Sequence, residues 1–227
     1  MSKGLFVVGT GTDVGKTYVS ALMVRALHRS GRRAAYYKAA MSGNARDADG
    51  VLLPGDALHV RRISGIAQPT AEMCPYVYEH AVSPHLAARL EGNPVEPDVV
   101  RRGYEAMARQ YDYLTVEGSG GILCPLRFDG QRLLLEDVIR ELALPCLLVA
   151  DAGLGTINSV VLTAFYMRAR GLPLKGIFLN RFHAGDVMEE DNARMCAELS
   201  RLPVLARIQP DAAELPLAAD ALAALYE

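Results

Sequence analysis

A chain of 227 residues, 51% of them hydrophobic, can bury a sizeable core in a single α/β domain, while 24 Lys plus Arg against 26 Asp plus Glu leave no basic field for nucleic acid or anionic lipid. Four scattered cysteines, Cys74, Cys124, Cys146 and Cys196, form no Cys-x-x-Cys pair, which argues against zinc and a disulfide framework and for buried thiols in a reducing compartment. Neither a signal peptide nor an apolar run of membrane-spanning length is seen, so a cytoplasmic protein without a membrane partner is expected.

The first apolar run, residues 5–8, leads into Gly9-Thr10-Gly11-Thr12-Asp13-Val14-Gly15-Lys16-Thr17 and then a helical pattern over 17–30 closed by Gly31. Strand, glycine-rich turn and helix in that order make a phosphate-binding loop. Backbone N–H groups, the positive helix end and Lys16 converge on the β- and γ-phosphates, and the Thr17 hydroxyl reaches Mg²⁺. The spacing is a variant, because Thr10 stands where the first loop glycine is usual and glycines flank it. A second strand over 34–38 completes a βαβ order, and further apolar runs at 113–117, 146–150, 174–179 and 204–208 read as strands. Helices are expected over 84–90, 98–110, 135–142, 158–170, 188–202 and 218–226. Continuous apolar strands imply a mostly parallel sheet covered on both faces, hence one three-layer α/β domain over 1–227. The mixed segment between Ala39 and Pro75, with Gly43, Gly50, Pro54 and Gly55, is where a substrate-binding excursion from the sheet fits.

In such a sheet ligands collect at the carboxyl ends of the strands. There the chain places Lys38 followed by Ser42-Gly43, Glu117 followed by Gly118-Ser119-Gly120-Gly121, then Asp151, then Asn180-Arg181. Glu117 could hold Mg²⁺ beside Thr17, with Asp56 as a third oxygen ligand, since this ion takes oxygen donors and keeps several waters. Simpler readings exist for other residues. Lys38 alone could be a solvated lysine. Asp47-Ala48-Asp49-Gly50 lacks the downstream glutamate and ligand alternation of a calcium loop and reads as a turn. The histidines have no metal-ligand spacing, and Glu189-Glu190-Asp191 fits an acidic helix start.

These segments together resemble the dethiobiotin synthetase family over residues 5–182. Gly9 to Thr17 is similar to its Gly-Thr-Asp-Thr-x-Val-Gly-Lys-Thr loop, with Gly11 for the common Asp. Tyr37-Lys38 with Ser42-Gly43, Ser83-Pro84-His85, Val116-Glu117-Gly118-Ser119-Gly120-Gly121 and Gly153-Leu154-Gly155-Thr156-Ile157-Asn158 are similar to further family segments. Ala39 replaces a Pro and Ser159 a His, both read as changes of packing. The resemblance implies the P-loop NTPase fold and a cyclo-ligase that joins CO₂ to 7,8-diaminopelargonate, phosphorylates the carbamate with ATP and closes a cyclic urea. It also implies site residues. The nucleotide falls to Asp13, Val14, Gly15, Lys16, Thr17, Asp56, Glu117, Gly118, Ser119, Gly120, Asn180, Arg181 and Pro210, and Mg²⁺ to Thr17, Asp56 and Glu117. The diamine falls to Thr12, Lys38, Ser42 and, across a homodimer interface, Thr156, Ile157 and Asn158, with Lys16 and Lys38 as the catalytic cations.

Two rivals share the fold. A partitioning-type switch ATPase, which binds partners instead of converting a metabolite, typically carries an extra lysine early in the loop, whereas Lys16 is the only lysine between Phe6 and Thr17. An amide synthase of the cobyrinate type needs a glutaminase domain, for which 227 residues leave no room.

Overall fold

The computed structural model describes residues 2–227. Its strands in chain order are β1 (Lys3–Gly9), β2 (Ala34–Lys38), β3 (Ala40–Met41), β4 (Tyr76–Val77), β5 (Tyr113–Gly121), β6 (Pro125–Phe128), β7 (Arg132–Leu134), β8 (Cys146–Asp151), β9 (Leu174–Asn180) and β10 (Val204–Ile208). The helices are α1 (Lys16–Arg29), α2 (Gly55–Ser64), α3 (Thr70–Met73), α4 (Pro84–Leu90), α5 (Pro97–Ala108), α6 (Leu135–Leu142), α7 (Thr156–Ala169), α8 (Val187–Ser200) and α9 (Ala219–Ala224).

All six expected strands join one sheet in the order β10-β9-β8-β1-β5-β2, and every neighbouring pair is parallel. The alternation within β1 shows why both faces must be covered. Leu5 and Val7 point into a core with α1 residues Val19, Met23 and Leu27, whereas Phe6 and Val8 point into a second core with Val138, Ile139 and Val160 from α6 and α7. Removing such a side chain from water contributes about 1.5–3 kcal/mol each, and these runs leave no polar face to hydrate.

Elements absent from the expectation lie in the segments with weak periodicity. The excursion after β2 folds as β3, α2, α3 and β4, and β3 pairs with β4 in parallel. Asn44, 6% exposed, stitches it together. Its Nδ2 donates to the carbonyls of Met41 and Tyr78, and its Oδ1 accepts the Gly55 N–H at the start of α2. That contact sets where Asp56 stands. The hairpin β6–β7 turns at Asp129-Gly130, with Asp129 Oδ1 accepting from the Gln131 N–H. Asp47 accepts from the N–H groups of Asp49 and Val51, so that segment is the expected turn.

β2 is an edge strand, and its outer side is closed by a side chain. The buried Gln68 amide accepts from Tyr36 N–H and donates to Tyr36 C=O, each at 2.9 Å, as a neighbouring strand would. On the far side of the sheet, α7 buries Val160, Ala164 and Met167 but leaves Leu162 60% and Phe165 67% exposed, with Leu154 90% exposed just before it. A helix apolar on both faces has an unfilled partner position. The four cysteines are free, as expected, and burial pushes the thiols of Cys74 and Cys146 up to about 12. No helix of the described residues is long and apolar enough to cross a membrane.

Candidate active site

A cavity of about 1010 Å³ opens at the carboxyl ends of β1, β2 and β5. Its wall includes Thr12, Asp13, Gly15, Lys16, Thr17, Lys38, Ser42, Asp56, Glu117, Ser119, Gly120 and Arg181. The sequence separates these residues by up to 169 positions, and the β1–β5–β2 register unites them: Lys38 pairs directly with Glu117, and Gly9 with Gly121.

The loop geometry explains its letters. Asp13 and Gly15 have φ of 60° and 88°, left-handed values that turn successive N–H groups inward ahead of α1. A side chain at Gly15 is also barred by space, because a Cβ there would lie 2.0 Å from Asn180 Nδ2. That amide donates to the Val14 carbonyl at 3.1 Å, and Arg181 donates to the Asp13 carbonyl at 2.8 Å while pairing with Asp151. Thus Asn180-Arg181, at the end of β9, brace the loop from behind. Asn180 Oδ1 is buried with no partner. Lys16 curls back to donate to Gly11 C=O at 2.7 Å, 6% exposed, and burial holds its ammonium below the ordinary lysine value despite Glu117.

Charge concentrates on one spot beyond the loop. Lys38 Nζ lies 2.6 Å from Asp56 Oδ2 and 2.7 Å from Glu117 Oε1. Thr17 Oγ1 donates to the same Glu117 oxygen at 2.8 Å, and Tyr36 OH donates to Oε2 at 2.9 Å. Burial works against the Lys38 charge, but Glu117 and Asp56 outweigh it and hold the ammonium well above its ordinary value. Asp56 is likewise opposed by burial, yet Lys38 brings it below the ordinary carboxylate value. The solvated reading of Lys38 is excluded, since its side chain is 8% exposed. Ser119 Oγ donates to the Ala40 carbonyl, tying the second glycine turn to β3.

Not every expected residue reaches the cavity. Val14, within the loop, and Asn180, behind it, are not part of the cavity wall. Gly118 is packed where a Cβ would meet Leu135 at 2.7 Å and Phe6 at 3.2 Å, so its role is backbone clearance. Pro210 is exposed and outside the cavity wall, and Thr156, Ile157 and Asn158 open α7 outside it too. Ala39 is 3% exposed and Ser159 Oγ bonds back to Thr156 C=O, in line with packing roles. Among the wall and support residues not named as site residues from the sequence are Cys124, Tyr36 and His59. His59 follows Asp56 by one turn of α2, so an i, i+3 pattern would have flagged it had α2 been recognised.

Comparison with known proteins fits this geometry. A family model described as an AAA domain matches residues 3–214. The ATP-dependent dethiobiotin synthetase BioD of Brachyspira hyodysenteriae is 46% identical over 90% of this chain and 91% of its own length. Those of Clostridium perfringens (strain ATCC 13124) and Clostridium botulinum (strain Loch Maree) are 42% and 38% identical, over 88% and 100% of this chain and 87% and 99% of theirs. Among solved structures, the septum site-determining protein MinD with Mg-ADP from Pyrococcus horikoshii aligns with a TM-score of 0.52 at 15% identity, over 100% of this chain and 95% of that one. A ParA family ATPase from Chlorobium tepidum aligns at 0.53 and 14%, over 92% and 84%. At such low identity these last two share the fold alone, a parallel P-loop sheet, and the sequence relatives decide between ligase and switch. The chain therefore belongs to the ATP-dependent dethiobiotin synthetase family, ligases built on the P-loop fold.

Proposed function

We propose that this site carries out the ATP- and Mg²⁺-dependent carboxylation and ring closure of 7,8-diaminopelargonate with CO₂, giving dethiobiotin, ADP and phosphate. The observation that carries the proposal is the Lys16, Lys38, Asp56 and Glu117 constellation, two cations and two carboxylates walled into one cavity. A carbamate is a weak anionic nucleophile approaching an anionic γ-phosphate, so catalysis reduces to positioning and charge neutralisation.

Asp13 to Thr17 cradle the β- and γ-phosphates with backbone N–H groups and the start of α1, and Lys16 exchanges its Gly11 carbonyl for phosphate oxygens. Thr17, Asp56 and Glu117 offer an oxygen-only donor set of the kind Mg²⁺ takes, and among the described residues no cluster of three or more His, Cys, Asp or Glu competes as a metal site. The ion, when bound, offsets charge on the phosphate oxygens. Lys38 then has the carbamate as its anionic partner, Thr12 and Ser42 hold the diamine or carbamate by hydrogen bonds, and Ser119 and Gly120 close the wall. Attack of the carbamate oxygen on the γ-phosphorus releases ADP. Attack of the second amine on the mixed anhydride closes the urea and releases phosphate. Asn180 Oδ1, an unpaired acceptor, suits an exocyclic amine of the base, with Arg181 and Pro210 alongside.

The tail carboxylate of the diamine is assigned to Thr156, Ile157 and Asn158 at the start of α7 of a second copy, because a helix N-terminus favours an anion. Exposed Leu154 just before this helix and exposed Leu162 and Phe165 on it support a homodimer that covers them. The test is ADP release with diamine and bicarbonate supplied separately and together. Turnover requiring both is expected. Vigorous hydrolysis without the diamine, stimulated by a protein or lipid partner, would favour a switch ATPase.

A further inference from the structure

Glu117 is 1% exposed, and its two oxygens keep different company. Oε1 accepts from Thr17 and Lys38, the groups that face the cavity. Oε2 has a single partner, the Tyr36 hydroxyl at 2.9 Å. Tyr36 is 0% exposed and lies two residues before Lys38 on β2, so the two side chains leave the strand on one face. It is not part of the cavity wall, so it touches no substrate. Its own backbone is held by both ends of the Gln68 amide, and Gln68 is 1% exposed.

A carboxylate's last torsion is broad and roughly two-fold, so an untethered glutamate can present either oxygen, or both, to a cation. Mg²⁺ tolerates little departure from octahedral geometry. We infer that Tyr36 is a positioning residue of the cation site: its hydroxyl pins Glu117 by Oε2 and leaves Oε1 alone to serve Thr17, Lys38 and the metal, while Gln68 keeps Tyr36 in register. Nothing in the motifs points to this tyrosine, since the segment resembling the family begins at Tyr37. The inference rests on the assignment of Glu117 to the cation, and the test separates the two.

Tyr36→Phe keeps the ring that fills the core and removes only the hydroxyl. Mn²⁺ binding to the ADP-loaded protein, read from the electron paramagnetic resonance of free Mn²⁺, should weaken about tenfold, the lower end of what losing an outer partner costs a metal site. The Mg²⁺ concentration for half-maximal turnover should rise by the same factor, with kcat at saturating Mg²⁺ little changed. Glu117→Gln is measured beside it. If Glu117→Gln leaves Mn²⁺ affinity intact, the cation assignment is wrong. If Glu117→Gln weakens it and Tyr36→Phe does not, Tyr36 only fills space and the inference is overturned, whatever its effect on melting temperature. Should Tyr36→Phe fail to fold, Gln68→Ala carries the same test: Mn²⁺ binding should weaken, and unchanged affinity overturns the role given to Tyr36.

Discussion

Replacing Lys38 by Met removes the one cation that contacts both carboxylates while keeping an unbranched stem in its channel. The Glu117 side chain is 0% exposed, so it cannot recruit bulk water, whereas Asp56 at 36% can. Deleting one partner of a buried ion pair costs about 3–5 kcal/mol. Because Thr17 and Tyr36 still donate to Glu117 and Asp56 rehydrates, the lower end applies, about 3 kcal/mol. For a chain of this length each kcal/mol is worth roughly 2–4 °C, so in EDTA the variant should melt roughly 6–12 °C below the parent. Mg²⁺ at about a hundred times its dissociation constant adds about 2.7 kcal/mol to whichever form binds it. The variant, with its carboxylates freed, should therefore recover most of the loss in Mg²⁺, and the parent should gain less, because its own ammonium contests the same oxygens. Calorimetric melts of both proteins in EDTA and in millimolar Mg²⁺ make the comparison, with turnover expected to fall about 10²–10³-fold for the lost transition-state charge. Equal melting in EDTA would show that Lys38 does not hold the pair in solution, and would refute the reasoning.

Gly15→Ala forces a Cβ into a left-handed position 2.0 Å from Asn180 Nδ2; about 1–3 kcal/mol of strain should appear in urea unfolding, with weaker ATP binding by titration calorimetry, and unchanged affinity would mean the loop does not need this geometry. Stability should fall with acid in two steps. His59 is held below its ordinary value, first by burial and then by Arg62, so the neutral form belongs to the fold and stability is lost as pH drops below about 6.5. Asp56 and Glu136 are opposed by burial but net lowered, by Lys38 and by Arg170 respectively, so their share is present above about pH 4 and lost below it; His59→Gln should erase the first step in denaturant midpoints and Asp56→Asn shrink the second, and a single step in the parent would contradict both. Phe165→Asp should yield monomers by sedimentation with little activity, and mixing Lys38→Ala subunits with subunits carrying a bulky residue at Asn158 should restore part of it; no recovery from proven heterodimers would place the diamine within one chain.

What the sequence made legible follows the strength of its periodicities. The six strands of the sheet are continuous apolar runs that no other element accommodates, and Gly15-Lys16-Thr17 at a strand-to-helix junction has one common use, so strands, loop and the Lys38–Glu117 edge could all be placed. Asp56 could be named but not positioned, because its helix α2 is short, starts after Pro54, and is fixed by Asn44, eleven residues upstream, through a side-chain contact no pattern encodes. Tyr36 escaped for a related reason: in a strand buried on both faces, an aromatic reads as core, and only the tertiary fold reveals that its hydroxyl ends on a carboxylate. The β6–β7 hairpin was missed although Asp129-Gly130 is a turn signal, since its strands of four and three residues are too short to show alternation.

The position of Lys38 on an edge strand gives the enzyme a local point of failure. β1 is flanked by β5 and β8, but β2 has one strand neighbour, and its other side hangs on a single glutamine amide. Detaching β2 breaks far fewer contacts than melting the central strands, so partial opening there costs less than global unfolding. Such an opening would carry off Lys38 and Tyr36 together, stripping Glu117 of two of its three donors while the phosphate loop stays folded on β1. On the proposed roles, nucleotide binding and chemistry are built on parts of the sheet with different local stabilities. Under mild heat or denaturant the protein should stop turning over before it stops binding ATP, and the amides of β2 should exchange with solvent ahead of those in β1 and β8.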